Sequence, residues 1–226
     1  MRDFHLPGRS SVLAANGMCA TSHPLAAQAA LDILKNGGNA MDAAIAGAVL
    51  LGICEPQMTG IGGDCFVLFS PAGSNEIKSM NGSGTAPGLA HAQTLRNQGL
   101  KSIPLNSPHA VTIPCAIDAF CQLSNDWGIL GLDRILQPAI HYAEHGVPIA
   151  ERVAYDLGEL TETLNPSGRE FYLPWGRAPK VGELFAHHGQ VKVLKEIAKH
   201  GRDGFYSGEV AEDMVNSLQK LGGVHS

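Results

Sequence analysis

Charged residues are scarce in this sequence, and the basic ones are scattered. Asp, Glu, Lys and Arg make up 16% of it, against about 25% in typical soluble domains. The net charge is −5 at pH 7, and no stretch concentrates Lys and Arg into the basic surface that a nucleic-acid-binding protein needs. Nucleic acid is therefore excluded as a partner. Because 44% of the residues are hydrophobic, we expect a substantial core and some apolar surface buried against other polypeptide.

The sequence also lacks a long apolar run. The longest, residues 40–53, is shorter than the ~20 residues of a membrane-spanning helix. It therefore predicts a core helix, and no membrane is expected as a partner. Residues 1–10 carry charge but contain no apolar stretch of the about 7–15 residues found in a secretory signal. These features predict a cytoplasmic protein.

The cysteines and histidines do not form a recognisable metal motif. The five cysteines are odd in number, and no two have C-x-x-C spacing, so they are predicted to be reduced, buried thiols. His141 and His145 would share one helix face, but the H-E-x-x-H order is absent and no third ligand lies at a telling distance. A solvated helix end is favoured over a zinc site. No metal and no other cofactor is expected.

What the sequence has in abundance is glycine and proline, 27 and 13 residues, which divide the first half into short elements. Pro24 suits the first turn of a helix that stops at two glycines, and Asn39 can cap a second helix over residues 40–53. The small side chains of this second helix predict close approach to a sheet. Residues 65–69 and 76–80 predict a β-hairpin.

The second half is predicted to be mostly helical. The expected helices cover residues 117–127, 132–145, 153–164, 191–200 and 209–221. A short strand over residues 111–113 precedes them, and residues 165–179 are the expected long surface loop because they contain several prolines and glycines.

A glycine loop precedes the predicted hairpin. Gly60, Gly62 and Gly63 resemble a phosphate cradle in spacing, yet phosphate loops follow a strand and open a helix. The context therefore favours a tight turn that presents backbone N–H groups. Ser22 next to His23 resembles a nucleophile beside a base, but both stand just before a proline-started helix, where a Ser or Thr hydroxyl is expected to act as a cap.

A polar loop follows the hairpin. Residues 81–87 combine two glycines with three polar side chains, Asn81, Ser83 and Thr85. Loops held at strand ends often bind ligands, and the other interpretation, which the residues alone favour, is a simple turn. On the residues alone both interpretations stay open.

Several segments, in this order, resemble the γ-glutamyltranspeptidase family. They are SHPLA at 22–26, GGNAMDAA at 37–44, EPQMTGIGG at 55–63, TAP at 85–87, GFYSG at 204–208 and GG at 222–223. The match extends over nearly the whole chain, and the string at 37–44 with the glycine loop after it is its most specific part. The resemblance implies that residues 1–226 are the N-terminal part of a large subunit. Residues 1–115 would be its sheet-forming half and residues 116–226 its mostly helical half.

The resemblance also implies a fold and a reaction. The fold is α+β, the αββα sandwich of N-terminal-nucleophile hydrolases, incomplete here because only the N-terminal portion is present. The family precursor cleaves itself, and a threonine at the new N-terminus of the small subunit becomes the nucleophile. Its α-amino group, with a reference pKa near ~8, can act as the base. The implied function is transfer of a γ-glutamyl or related acyl group from an amide such as glutathione to water, an amino acid or a peptide.

The sequence departs from the family pattern in two places. The family's nucleophile lies beyond the matched part, so no catalytic residue is expected in this chain, which should be inactive without its small-subunit partner. In classical members an arginine that pairs with the donor's α-carboxylate stands where Ser83 falls, and a serine offers only one neutral hydrogen bond instead of a bidentate ion pair. Asn81, Ser83 and Thr85 are the implied substrate-binding residues.

Three alternatives follow from these departures. The acyl group is γ-glutamyl, or it is another acyl group, as in relatives that resemble cephalosporin acylases. The third alternative is a non-catalytic scaffold or pseudoenzyme subunit. Family members are often periplasmic or secreted, in contrast to the cytoplasmic location predicted above.

Overall fold

The computed structural model describes Gly8 and residues 10–226, and within them the chain is rich in helix. Its helices are α1 (Pro24–Lys35), α2 (Ala40–Cys54), α3 (Ala92–Asn97), α4 (Ala116–Trp127), α5 (Leu132–Ile135), α6 (Gln137–His145), α7 (Glu151–Leu160), α8 (Pro166–Tyr172), α9 (His188–His200), α10 (Asp203–Tyr206) and α11 (Gly208–Lys220). Its strands are β1 (Cys65–Phe69), β2 (Lys78–Gly82), β3 (Val147–Pro148) and β4 (Leu184–Phe185). Most of residues 1–10, on which the expected cytoplasmic location rests, lie outside the described part. None of the described helices is both long and apolar enough to cross a membrane.

Helix α2 is the centre of the core, and its start is fixed by the predicted cap. The Asn39 side chain accepts hydrogen bonds from the backbone N–H groups of Met41 and Asp42, and the Asp42 carboxylate accepts from the Asn39 N–H at 3.0 Å. This reciprocal pair satisfies N–H groups that a helix start would otherwise leave unpaired. Asp42 is fully buried and also accepts from the N–H groups of Ile129 and Leu130. The same carboxylate therefore ties α2 to the loop after α4.

The surroundings of α2 differ from the predicted sheet contact. The helix packs against α1, α4, α5 and α6. Its small residues Ala44 and Ala48 are exposed, and they border a cleft of about 370 Å³ whose other wall includes Phe66 and Leu68 of β1. The close approach that small side chains permit is instead used against α1, where Gly47 faces Ala30.

The predicted hairpin is confirmed, with its second strand two residues later than expected. Strands β1 and β2 are antiparallel, with Cys65 opposite Gly82 and Phe69 opposite Lys78. The connection between the two strands therefore covers residues 70–77, two more than predicted. One face of the hairpin packs on α4 through Cys65, Ala116 and Ala119.

In the second half the predicted helices form, with changes at Pro138 and Pro166. The single helix expected over residues 132–145 is two helices, α5 and α6, because Pro138 stands in the first turn of α6 and lacks the N–H that a continuous helix needs. The expected loop over residues 165–179 contains α8, which begins at Pro166 and is capped by Asn165. The predicted strand over residues 111–113 is wrong, since those residues are not assigned to a strand.

The cysteines are free, as predicted, but only two of the five are buried. Cys54 and Cys65 are buried, and the other three are partly exposed. Burial, together with the nearby Glu55 carboxylate, raises the pKa of Cys54 to about 12. This thiol is therefore neutral near pH 7 and serves the core as a small apolar side chain.

Candidate functional site

The glycine loop and the loop after β2 meet at one end of the hairpin. The pairing of Cys65 with Gly82 puts Asp64 and Ser83 side by side where the strands end. There the Asp64 carboxylate accepts a hydrogen bond from the backbone N–H of Gly84 at 2.8 Å. The two loops that the sequence flagged separately therefore form one polar surface.

Residues 111–116, here called the connecting segment, hold both loops from the other side. The N–H of Ile113 donates to the carbonyl oxygen of Thr85 at 2.9 Å. The N–H groups of Cys115 and Ala116 donate to the carbonyl oxygen of Gly63 at 3.1 and 3.0 Å. The positions of the two loops are thus set by backbone hydrogen bonds, which do not depend on side-chain identity in this segment.

Gly84 is required by this contact. A Cβ atom at this position would overlap the carbonyl oxygen of Ile113. Gly82 is similar, because its Cβ would press on the side chain of Ala119 in α4. Both glycines of the polar loop therefore serve close packing, and they leave the side chains between and after them to face solvent.

The three predicted substrate-binding residues lie together at this surface, and all three are exposed. Asn81 belongs to the end of β2 and not to the loop, and its side-chain oxygen accepts from the N–H of Ser83 at 3.0 Å. The hydroxyl groups of Ser83 and Thr85 make no hydrogen bond within the described part of the chain. They are available to a ligand.

The surface carries one formal charge and no cation of its own. Residues 59–64, 81–87 and 111–116 contain Asp64 and no other Asp or Glu, and no Lys, Arg or His. These segments therefore offer hydroxyl, amide and backbone groups together with one carboxylate. They can hydrogen-bond a polar group but cannot form an ion pair with an anionic one.

The serine and histidine before α1 do not form a nucleophile and base. The Ser22 hydroxyl donates to the carboxylate of Glu55, and the predicted hydroxyl cap is wrong. The cap is His23, whose Nδ1 accepts from the N–H of Leu25 at 3.3 Å. Burial lowers the pKa of His23 in spite of the nearby Glu55 carboxylate. A neutral ring that already accepts a backbone hydrogen bond through Nδ1 suits a structural role.

The two histidines of α6 lie as their spacing predicts. The rings of His141 and His145 stack with centroids 4.5 Å apart, and Nδ1 of His145 is 2.9 Å from the carbonyl oxygen of His141. Across the described residues, no group of three or more His, Cys, Asp or Glu side chains is disposed to hold a metal ion.

Sequence reasoning gave no role to two side chains that border the site. Tyr206 donates to the carbonyl oxygen of Pro114 at 2.6 Å. His187, only 2% exposed, lines a cavity of about 180 Å³ beneath Gly60 and Gly62. Burial lowers the pKa of His187 to about 4. The available signal for Tyr206 was its place in the GFYSG string, and His187 stands in none of the motifs found in the sequence.

Comparison with known proteins gives consistent results. A family model described as gamma-glutamyltranspeptidase matches residues 26–226. The glutathione hydrolase proenzyme of Bacillus subtilis is 31% identical over 213 residues, which are 92% of this chain but only 36% of that relative. The chain therefore spans little more than a third of that protein.

Two solved structures have the same fold. The cephalosporin acylase of Bacillus halodurans superposes with a TM-score of 0.91 and 38% identity, over 98% of this chain and 43% of that one. The gamma-glutamyltranspeptidase of Helicobacter pylori superposes with a TM-score of 0.89 and 28% identity, over 96% of this chain and 64% of that one. These matches confirm the predicted fold class, a partial α+β fold of the N-terminal-nucleophile hydrolase type.

Proposed function

The chain belongs to the gamma-glutamyltranspeptidase family, and from this premise we propose that its complete form cleaves γ-glutamyl or related acyl amides, passing the acyl group to water or to an amine. The observation that carries the proposal is the joined pair of loops at the end of the hairpin. Asp64 and Gly84 link the loops directly, and the connecting segment holds them from behind. A site of this kind can orient an acyl group without moving.

Asn81, Ser83 and Thr85 are the proposed acyl-binding residues. Their side chains are exposed on the joined loops, and the hydroxyls of Ser83 and Thr85 have no partner in the described part of the chain. Hydrogen bonds from these groups would bind a polar acyl group. Because these segments supply no cation, the α-carboxylate of a glutamyl donor such as glutathione would find no ion-pair partner here. An acyl group that is uncharged at this position fits the surface better.

The proposed partner is a small subunit that carries the nucleophilic threonine. The open face of the hairpin supports this, because Phe66 and Leu68 are 69% and 77% exposed. The cleft between this face and α2 is also lined by Thr59, Gly60 and Asp64. Polypeptide that fills the cleft would cover the apolar face and arrive beside the glycine loop. A threonine hydroxyl delivered there, activated by its own α-amino group, would meet the bound acyl amide.

The experiment uses the complete gene product. We expect it to cleave itself before a threonine, which denaturing electrophoresis and N-terminal sequencing of the fragments would detect. The processed protein should release the chromogen from a γ-glutamyl anilide or from an uncharged acyl anilide. Replacing that threonine by alanine is the control and should abolish both events. A folded, complete gene product that shows neither event overturns the proposal and favours the scaffold alternative.

A further inference from the structure

Tyr206 makes a bridge with its hydroxyl group. The oxygen donates to the carbonyl of Pro114 at 2.6 Å and accepts from the N–H of Asp118 at 3.1 Å. These two groups belong to the connecting segment and to the first turn of α4, about 90 residues earlier in the chain. The hydroxyl therefore fixes the point where the connecting segment becomes a helix.

A charged pair beside the hydroxyl holds the ring in place. The Arg202 side chain pairs with the carboxylate of Asp118 and lies over the Tyr206 ring, 4.7 Å from its centroid. The single turn of α10 packs tightly on α9 because Gly204 has no Cβ, which would overlap the carbonyl oxygen of Glu196. The Tyr206 ring therefore belongs to a helix that is tightly packed within the helical half.

The connecting segment passes this constraint on to both loops. Directly beside Pro114, the N–H of Ile113 holds Thr85, and the N–H groups of Cys115 and Ala116 hold Gly63. Each loop is therefore separated from the Tyr206 hydroxyl by one short piece of backbone. Tyr206 also lines a groove of about 710 Å³ that Gly62 borders as well.

His225 contacts the connecting segment at its other end, Val111. Its Nε2 is 2.8 Å from the carbonyl oxygen of Val111. A carbonyl can only accept, so this nitrogen carries the proton. His225 is 3% exposed. The connecting segment is consequently held by the helical half at Val111 and Pro114. Through the N–H groups of Ile113, Cys115 and Ala116 it holds the loops of the proposed site.

We propose that Tyr206 is a positioning residue, which sets the two loops of the acyl-binding surface through the connecting segment. The expected change in enzyme kinetics rests on the proposed function. The expected change in the mobility of the two loops does not. Removing the hydroxyl leaves the Pro114 carbonyl and the Asp118 N–H without their partner, so the connecting segment gains freedom and the loops move with it.

The test compares the complete gene product with its Tyr206→Phe variant by hydrogen exchange. We expect exchange to become about fivefold to tenfold faster in peptides that contain Gly84 and in those that contain Cys115 and Ala116, because one lost hydrogen bond changes local opening by about this factor. Peptides from residues 191–200 in α9 should keep their rates. The matched control is Tyr142→Phe, since Tyr142 is half-buried and its hydroxyl makes no hydrogen bond in the described part of the chain.

Kinetics separate positioning from a loss of folded protein. With an acyl anilide as the substrate, Tyr206→Phe should raise KM about fivefold and change kcat less than twofold, because misplaced loops weaken acyl binding. A merely destabilised enzyme would lose active molecules, which lowers the apparent kcat and leaves KM unchanged. Tyr142→Phe should leave both constants within twofold.

The outcomes are distinct. If the wild-type protein does not cleave amides, the proposed function is wrong. The exchange comparison still tests the role of Tyr206 in that case. Unchanged exchange in the loop peptides, or a rise that is equally large in α9, overturns the positioning role. If Tyr206→Phe does not fold, Arg202→Gln takes its place, because it frees the ring but keeps the hydroxyl. The Arg202→Gln variant should speed exchange in the same peptides about twofold. If their exchange does not change, the positioning role is likewise overturned.

Discussion

The hairpin and helix α9 differ in how completely their apolar side chains are covered. Phe66 and Leu68 on the open face of the hairpin are 69% and 77% exposed, whereas Leu194 and Ile197 of α9 are 0% and 1% exposed. Helix α9 lies among α5, α6 and α10. The hairpin packs on α4 with one face only. The apolar side chains of α9 are covered within one core that this helix shares with α1 and α2, whereas we propose that the open face of the hairpin receives a further layer of polypeptide.

The candidate site lies at the border of these two regions. Its loops belong to the hairpin side, but the groups that hold them in place come from the connecting segment and, behind it, from Tyr206 and His225. The open region therefore has a fixed base. This arrangement suits the proposed acyl-binding surface, which must stay ordered when the proposed small subunit completes its open side.

The largest expected effect separates the two regions directly. In the chain of residues 1–226, Leu194→Ala should lower the free energy of unfolding by about 3–4 kcal/mol, because it leaves a cavity in a closed core. Leu68→Ala should lower it by less than ~0.5 kcal/mol, as expected for an exposed side chain. Urea denaturation measures both. In the complete gene product the cost of Leu68→Ala should rise above ~1 kcal/mol, and an equal cost in both proteins would mean that nothing covers the hairpin.

The next effect tests how firmly the first helices are joined to the helical half. Asp42→Ala should lower the free energy of unfolding by about 3 kcal/mol, because it removes a buried carboxylate and leaves the N–H groups of Asn39, Ile129 and Leu130 without an acceptor. Asp32→Ala is the matched control, since the Asp32 carboxylate is about half exposed and pairs with Lys35 at the surface. Similar losses in the two variants would contradict the role given to Asp42.

A pH effect is expected at the contact between α9 and the end of α2. His187 has a pKa of about 4 when folded and 6.5 as its ordinary value, so between these pH values the unfolded chain binds the proton more tightly. The stabilising contribution is complete above pH 6.5 and is lost as the pH falls toward 4, with a total of roughly 3 kcal/mol. Denaturation curves across this range measure it.

Two variants identify the residue responsible for that pH dependence. His187→Phe, which can pack against Phe185, should flatten the curve of unfolding free energy between pH 6.5 and 4. His188→Gln changes the exposed neighbour and should keep the wild-type slope. The same slope in both variants would assign the effect to another group.

The smallest effect concerns the missing cation of the site. Ser83→Arg in the complete gene product should raise the preference for a γ-glutamyl anilide over an uncharged acyl anilide about tenfold, or ~1.4 kcal/mol, because an arginine can pair with the α-carboxylate. Asn75→Arg adds the same charge at the opposite end of the hairpin and should leave the ratio of kcat/KM values unchanged. An unchanged ratio for Ser83→Arg would show that this position does not face the donor's carboxylate.

Local patterns predicted much of the fold. Asn39, Pro24 and the glycine pairs act within a few residues of themselves, so the first two helices and the hairpin could be derived from sequence. Helix α3 was missed because its residues are not buried and show no apolar stripe. Strands β3 and β4 are two residues each and exist only through their pairing with each other. The division into halves at residues 115 and 116 stays a prediction.

The candidate site was predicted only in part. Asn81, Ser83 and Thr85 form a polar cluster in the sequence itself, and their role in binding stays a prediction. The groups behind them could not be found in this way, because the contacts of Tyr206 with Pro114 and of His225 with Val111 join residues roughly 90 or more positions apart. Such contacts follow from tertiary packing, and no short-range pattern encodes them.

The most direct test of the account is the location of the acyl group during turnover. The complete gene product would be quenched while it cleaves an acyl anilide, and the mass of each fragment measured. We expect the added acyl mass on the fragment that begins with threonine, and none on the fragment that contains residues 1–226. Acyl mass on the latter fragment, or a single uncleaved polypeptide that turns over the substrate, would contradict the claim that this chain supplies the binding half of a site completed by another subunit.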